Sequence, residues 1–206
     1  MIRLYRIPHS TNVERVALAL AHKGLEAESV WINPADRSEV RHVSGQDLVP
    51  VLDDGGRILS ESMEIVRYLE ERNPDPPLYP SDPARRAEML IFVDWFNRVW
   101  KRPPNDMEAE LEKTEPDWSL VEDYSRTMRA RLSLFEDMLA GRDYLMGEDF
   151  SAADCCAFPF LKYAVLGLPE GDDELFHQIL RDHQPLGETH PLLDAWIHRV
   201  DERPRV

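Results

Sequence analysis

Apolar and polar positions alternate with period two over Ile2–Arg6, which predicts a short strand that ends before Pro8. Ser10, Thr11 and Asn12 are three residue types that favour helix N-caps. The apolar rhythm Val13, Val16, Ala17, Leu20, Ala21 follows and predicts a helix to about Lys23, with Gly24 as its stop. Ala27–Ile32 reads as a second strand. A strand, a helix and a strand in such a short span make a βαβ unit with parallel strands. Residues 33–47 are polar with weak periodicity, read as loop plus a short helix. Val49–Asp53 and Arg57–Leu59 form a hairpin around the turn signal Asp54-Gly55-Gly56. Met63, Ile65, Val66 and Leu69 then mark a helix that ends before Pro74.

The order βαβ then ββα predicts a four-stranded mixed sheet with helices on its faces, the thioredoxin-like plan. Asn73–Pro83 holds five prolines and excludes both helix and central strand, so it marks a boundary. Beyond it the rhythm is helical. Ala84–Lys101 is apolar at Leu90, Val93, Phe96, Val99 and Trp100; Pro103-Pro104 is expected to break this helix, and the acidic run Asn105–Asp117 reads as solvated loop or frayed helix end. Val121, Tyr124, Met128, Leu132, Phe135 and Met138 stripe a long helix stopped by Gly141. Phe150-Ser151-Ala152-Ala153-Asp154 reads as a capping box opening a helix that is apolar on nearly every face. Two more helices are expected, near Asp173–Asp182 and His190–Glu202. The predicted fold class is therefore an α/β thioredoxin-like N-terminal domain (residues 1–75), a Pro-rich linker (76–83) and an all-α C-terminal domain (84–206).

Composition narrows the function. The 206 residues are 43% hydrophobic, enough for real cores, and no apolar run approaches the roughly 20 residues that span a bilayer. The N-terminus lacks the features of a secretory signal, which favours a cytoplasmic protein. The formal net charge is −15: residues 1–80 hold 9 Lys and Arg against 13 Asp and Glu, and residues 81–206 hold 15 against 26. Such a surface repels phosphate backbones and anionic lipid, arguing against nucleic-acid and membrane partners. The adjacent Cys155 and Cys156 offer no disulfide framework or zinc ribbon, and the seven histidines show no metal-ligand spacing, so no metal site is expected. Both cysteines read most simply as small core residues.

Candidate chemistry gathers in Leu48–Ser62. Val49-Pro50 presents a bare backbone edge to a peptide-like ligand. Glu61-Ser62 sets an acid and a hydroxyl at a helix mouth, where a small anion finds a local field opposing the acidic surface. By residue type alone the pair also reads as ordinary helix capping, and Ser10 as a plain N-cap.

With Ser10 and Arg15 five residues apart, Val49-Pro50, Glu61-Ser62, the Pro-rich linker and the Phe150–Asp154 box in this order, the chain resembles the cytosolic glutathione S-transferases over nearly its whole length. The resemblance implies a cis bond before Pro50, with the Val49 backbone pairing to the cysteinyl unit of glutathione. It implies that Ser62 and the helix N–H groups hold the γ-glutamyl carboxylate while Glu61 holds the ammonium. Ser10, or its neighbours Thr11 and Asn12, would donate to the sulfur and favour the thiolate; Arg15 reads as structural. The family often carries Asn-Pro-x-Gly-x before Val-Pro, whereas this chain has Ser44-Gly45-Gln46-Asp47-Leu48. Arg41 and His42 are then the candidates for the glycyl carboxylate. Phe96, Val99 and Trp100 are candidates for an electrophile pocket, and equally for helical core. The implied activity is conjugation of glutathione, a co-substrate and not a tightly bound cofactor, to small hydrophobic electrophiles by a homodimer. A glutathione-dependent disulfide reductase without an active-site cysteine and a non-catalytic binding module remain alternatives.

Overall fold

A computed structural model describes residues 1–206 and divides into two compact units, Met1–Pro80 with Arg203–Val206, and Ser81–Glu202. In the first unit the elements are β1 (Ile2–Arg6), α1 (Thr11–His22), β2 (Ala27–Trp31), α2 (Ser38–Ser44), β3 (Val51–Asp54), β4 (Arg57–Leu59) and α3 (Ser62–Arg72). The sheet order is β2-β1-β3-β4, with β1 parallel to β2 and antiparallel to β3, and β3 antiparallel to β4. Leu4 stands opposite Leu52, and Leu52 opposite Leu59, which holds one apolar row in register across three strands. Leu4, Val16, Leu20, Leu52, Ile65, Val66 and Leu69 are fully buried, each worth about 1.5–3 kcal/mol of transfer free energy. Gly24, at φ +62, ends α1 in a backbone conformation that a β-carbon disfavours.

One buried ion pair ties this unit to the proline-rich segment. The Lys23 ammonium donates to the Glu70 carboxylate and to the carbonyls of Pro74 (3.2 Å) and Pro76 (2.6 Å), and Glu70 also accepts from the Leu78 N–H at 2.9 Å. Prolines donate no backbone hydrogen bond, so this segment offers mainly acceptors, and one lysine satisfies two of them. Beside it, His22 approaches the Pro77 carbonyl at 3.2 Å and Arg203 at 2.8 Å. Burial, then the charges of Arg203 and Lys23, lower the His22 pKa against the Pro77 contact, which raises it. The unfolded chain thus binds a proton near pH 6.5 that the folded chain still refuses. Stability from this group is present above that pH and falls as pH drops through the window below it. A small decline in the urea midpoint between pH 7 and pH 5.5 is expected, and His22→Gln should flatten it. An unchanged slope in that variant would assign the decline to other groups.

The second unit is helical: α4 (Pro83–Trp95) running into a π-helical turn (Phe96–Trp100), α5 (Arg102–Leu111), α6 (Trp118–Met138), α7 (Ala152–Leu161), α8 (Leu175–Asp182) and α9 (Pro191–Asp201). Here the expectation for 103–117 fails in part, since the preceding helix does stop and residues 112–117 are not helical. Pro103 and Pro104 open α5; they do not simply end its predecessor. In a first helical turn the missing N–H has no partner to lose, so the residues that stop one helix can start the next. The run read as solvated loop or frayed helix end is well-formed helix to Leu111, with Met107 and Glu110 buried. Glu110 accepts from the Asp117 N–H at 2.8 Å and pairs with Lys113, closing the turn into α6. All ten residues of α7 are buried, and its capping box is formed. Cys155 and Cys156 are buried free thiols. The chain's last four residues, read from sequence as the end of the helical domain, belong to the first unit. No helix is long and apolar enough to cross a membrane.

Candidate active site

The chain reverses just before α1. His9 holds φ +59, a left-handed conformation that costs a non-glycine residue about 1–2 kcal/mol, and it sets Ser10 at the helix mouth. Ser10 caps α1, its Oγ accepting from the Val13 N–H at 3.4 Å. Thr11 is buried in the first turn. Asn12 and Arg15, three residues apart on one helix face, meet through Nη1 and Oδ1 at 3.3 Å. The same Nη1 donates to Ser62 Oγ at 3.3 Å. Arg15 is only 2% exposed, so this guanidinium runs inside the unit from the first turn of α1 to the first residue of α3.

The mouth of α3 has no side-chain cap from its N-cap residue. Glu61 occupies the N-cap position in extended backbone, yet its side chain makes no capping bond and is exposed. The α1, α4, α6 and α7 starts all carry a capping side chain. Glu61 therefore does not cap α3 with its side chain, a feature shared with the N-cap residues of α2, α5, α8 and α9. Ser62 is buried beside it at 7% exposure.

The Val49–Pro50 peptide bond is cis, as is Asp75–Pro76. Val49 lies outside the ladder, which starts at Val51 opposite Tyr5. Upstream, Gln46 turns its side-chain amide onto Leu48, accepting from its N–H at 2.9 Å and donating to its carbonyl at 3.0 Å, while the Leu48 side chain is exposed. Arg41 is held by Asp47 in a bidentate pair of 2.6 and 2.8 Å, whose hydrogen bonds hold the Asp47 carboxyl below the usual carboxylate range. His42 lies exposed on α2.

In the helical unit, Phe96 and Trp100 stack at 4.4 Å and pack edge-on against Phe135 and Phe160, fully buried. Val99 points the other way, exposed, and its carbonyl accepts from Arg131 at 2.7 Å. The three residues proposed from helical spacing thus do not share a face.

Two family models match the chain: glutathione S-transferase, N-terminal domain, over residues 4–77, and glutathione S-transferase, C-terminal domain, over residues 106–204. The chain belongs to the cytosolic glutathione transferase family. Among relatives of this transferase-family chain, glutathione S-transferase GstB of Escherichia coli K12 is 27% identical, with 100% of this chain and 96% of GstB aligned. Pyrimidodiazepine synthase of Drosophila melanogaster is also 27% identical, over 100% of this chain and 79% of its own length. The Tau class glutathione S-transferase of mango, Mangifera indica, superposes with a TM-score of 0.80 at 20% identity, covering 98% of this chain and 89% of its own, a likeness that speaks for the fold alone. The thioredoxin-like unit and helical unit of this transferase-family chain are those the sequence predicts. The structural part read for Arg15 agrees with its burial, and the side-chain bonds of Arg15 and of Gln46 were not anticipated. Their one local signal was the i, i+3 spacing to Asn12 and the i, i+2 spacing to Leu48.

Proposed function

We propose that the chain is a glutathione transferase that binds glutathione along the first unit and directs its thiolate at a small hydrophobic electrophile. The buried Asn12–Arg15–Ser62 connection carries this reading, because it couples the residues beside Ser10 to the mouth of α3. In this reading the uncapped α3 N-terminus and Ser62 take the γ-glutamyl carboxylate, with Glu61 beside them for the ammonium. The Val49 backbone pairs with the cysteinyl unit, and Ser10 donates to the sulfur. Since Arg41 is engaged with Asp47, His42 is the freer candidate for the glycyl carboxylate. A thiol is only a few per cent ionised at neutral pH; a hydroxyl donor and the positive end of α1 favour the thiolate. The sulfur then forms a bond to the electrophilic carbon as a leaving group departs. Of Phe96, Val99 and Trp100, only Val99 is exposed; the other two are core residues of the helical unit. A cytoplasmic homodimer is the form expected.

Titration calorimetry with glutathione tests the reading, which predicts saturable binding. Ser10→Ala should keep that binding and raise the bound thiol's pKa by about one unit, about 1.4 kcal/mol. Absence of binding overturns the proposal. Binding with turnover of glutathione-linked disulfides but no conjugation of aryl halides selects the reductase, with Thr11 and Asn12 as sulfur donors. Binding without turnover of either selects a non-catalytic module.

A further inference from the structure

Residues Arg203–Val206 run back along α1. The Val206 N–H reaches the Ala17 carbonyl at 3.4 Å, and the Val206 carbonyl accepts from Arg6 at 2.7 Å. Arg203 meets His22, and Arg205 donates from Nε to Glu14 at 3.1 Å and from Nη1 to the Arg203 carbonyl at 2.8 Å. Glu14 belongs to the first turn of α1, and its N–H bonds to the Ser10 carbonyl at 3.0 Å. The Glu14–Arg205 pair is largely sheltered, the side chains being 14% and 25% exposed, so it is screened less than a surface ion pair. Arg6 on β1 also feels Glu14, which raises an Arg6 pKa that burial lowers.

We propose that Arg205 is a positioning residue for the thiol site: it holds the first turn of α1 through Glu14 and neutralises the carboxylate one turn along from Ser10. The inference rests on the transferase reading, in which a thiolate sits at the α1 mouth. A second negative charge in the first turn of α1 opposes ionisation of a thiol bound at its mouth unless a cation offsets it. Other charged and titratable groups lie near the two ends of this interaction. Arg15 on α1 is directed at Ser62, and Arg6 is bonded to Val206 and stacked 4.7 Å over Trp31. His22 and Arg203 pair at the far end of the helix, and His9 and Glu61 flank the site in sequence at Ser10 and Ser62.

The test follows the ultraviolet thiolate absorbance of bound glutathione against pH. Arg205→Ala is expected to raise the bound thiol's pKa by about half a unit. Arg205→Lys should leave it near the parent value, and the double variant Arg205→Ala with Glu14→Gln should return it there, which lost packing alone would not do. No shift in Arg205→Ala, or a shift that persists in the double variant, overturns the inference. If the parent binds no glutathione, the transferase reading fails separately. Arg205 is then judged by amide exchange at Val13 and Glu14, expected to be faster in Arg205→Ala and restored in Arg205→Lys; unchanged exchange overturns its positioning role.

Discussion

Asp154→Ala is expected to lower stability by about 3–5 kcal/mol, read as a fall in melting temperature of about 10 °C. The Asp154 carboxylate is fully buried and accepts four hydrogen bonds. Oδ1 takes the Leu145 N–H at 3.0 Å and the Trp196 indole N–H at 2.9 Å; Oδ2 takes the Ser151 N–H at 2.9 Å and the Ser151 hydroxyl at 2.7 Å. Burial pushes its pKa up, and these four donors oppose that shift. One side chain thereby fastens the loop at Leu145, the start of α7 and the face of α9. Alanine leaves two backbone N–H groups and an indole without partners in an apolar interior, which costs more than the loss of the bonds themselves. Asp154→Asn separates the contributions. Its amide oxygen can keep the Leu145 and Trp196 donors, while its NH2 faces the two Ser151 donors, so about half the loss is expected. Equal losses in both variants would mean that the negative charge, and not the number of acceptors, governs this site.

Arg15→Met is expected to weaken glutathione binding by about 2–3 kcal/mol, on the order of a hundredfold in Kd, and to destabilise the first unit as well. The substitution removes a buried cation, its bond to Ser62 at the mouth of α3 and its bond to Asn12 at the mouth of α1. Ser62 then loses the donor that fixes its hydroxyl, and the proposed anion site loses a nearby positive charge. Arg15→Lys is expected to recover only part of the affinity. Its ammonium restores charge, but its compact head does not reproduce the reach of a planar guanidinium between the two groups. Calorimetry at a temperature well below the melting point of each variant keeps binding apart from unfolding. Affinity within threefold of the parent in Arg15→Met would show that the guanidinium is a packing element alone.

These residues also mark how far a linear reading extends. The caps at Ser10 and Ser151, the hairpin at Asp54-Gly55-Gly56 and the break at Pro74, Pro76, Pro77 and Pro80 were legible because each signal is local; Pro83, read as part of that break, instead opens α4. The same holds for the apolar rhythm of α1, α3 and α6, whose periods match their buried faces. Pro103-Pro104 was misread because proline is forbidden inside a helix but welcome in its first turn, and nothing nearby says which applies. The acidic surface of α5 hid the rest, since its inward positions include a glutamate and two prolines.

The sequence by itself determined the two kinds of unit, their order, and where the helices near the candidate site begin, all consequences of period and capping chemistry. Only the tertiary structure decided which side chains meet across that distance. Arg15 and Ser62 are 47 positions apart, Glu14 and Arg205 are 191 apart, and Phe96 and Trp100 turn inward while Val99 turns out. Contacts of this kind follow from packing and burial, and a side chain that reaches another element leaves no periodic trace in the chain that carries it.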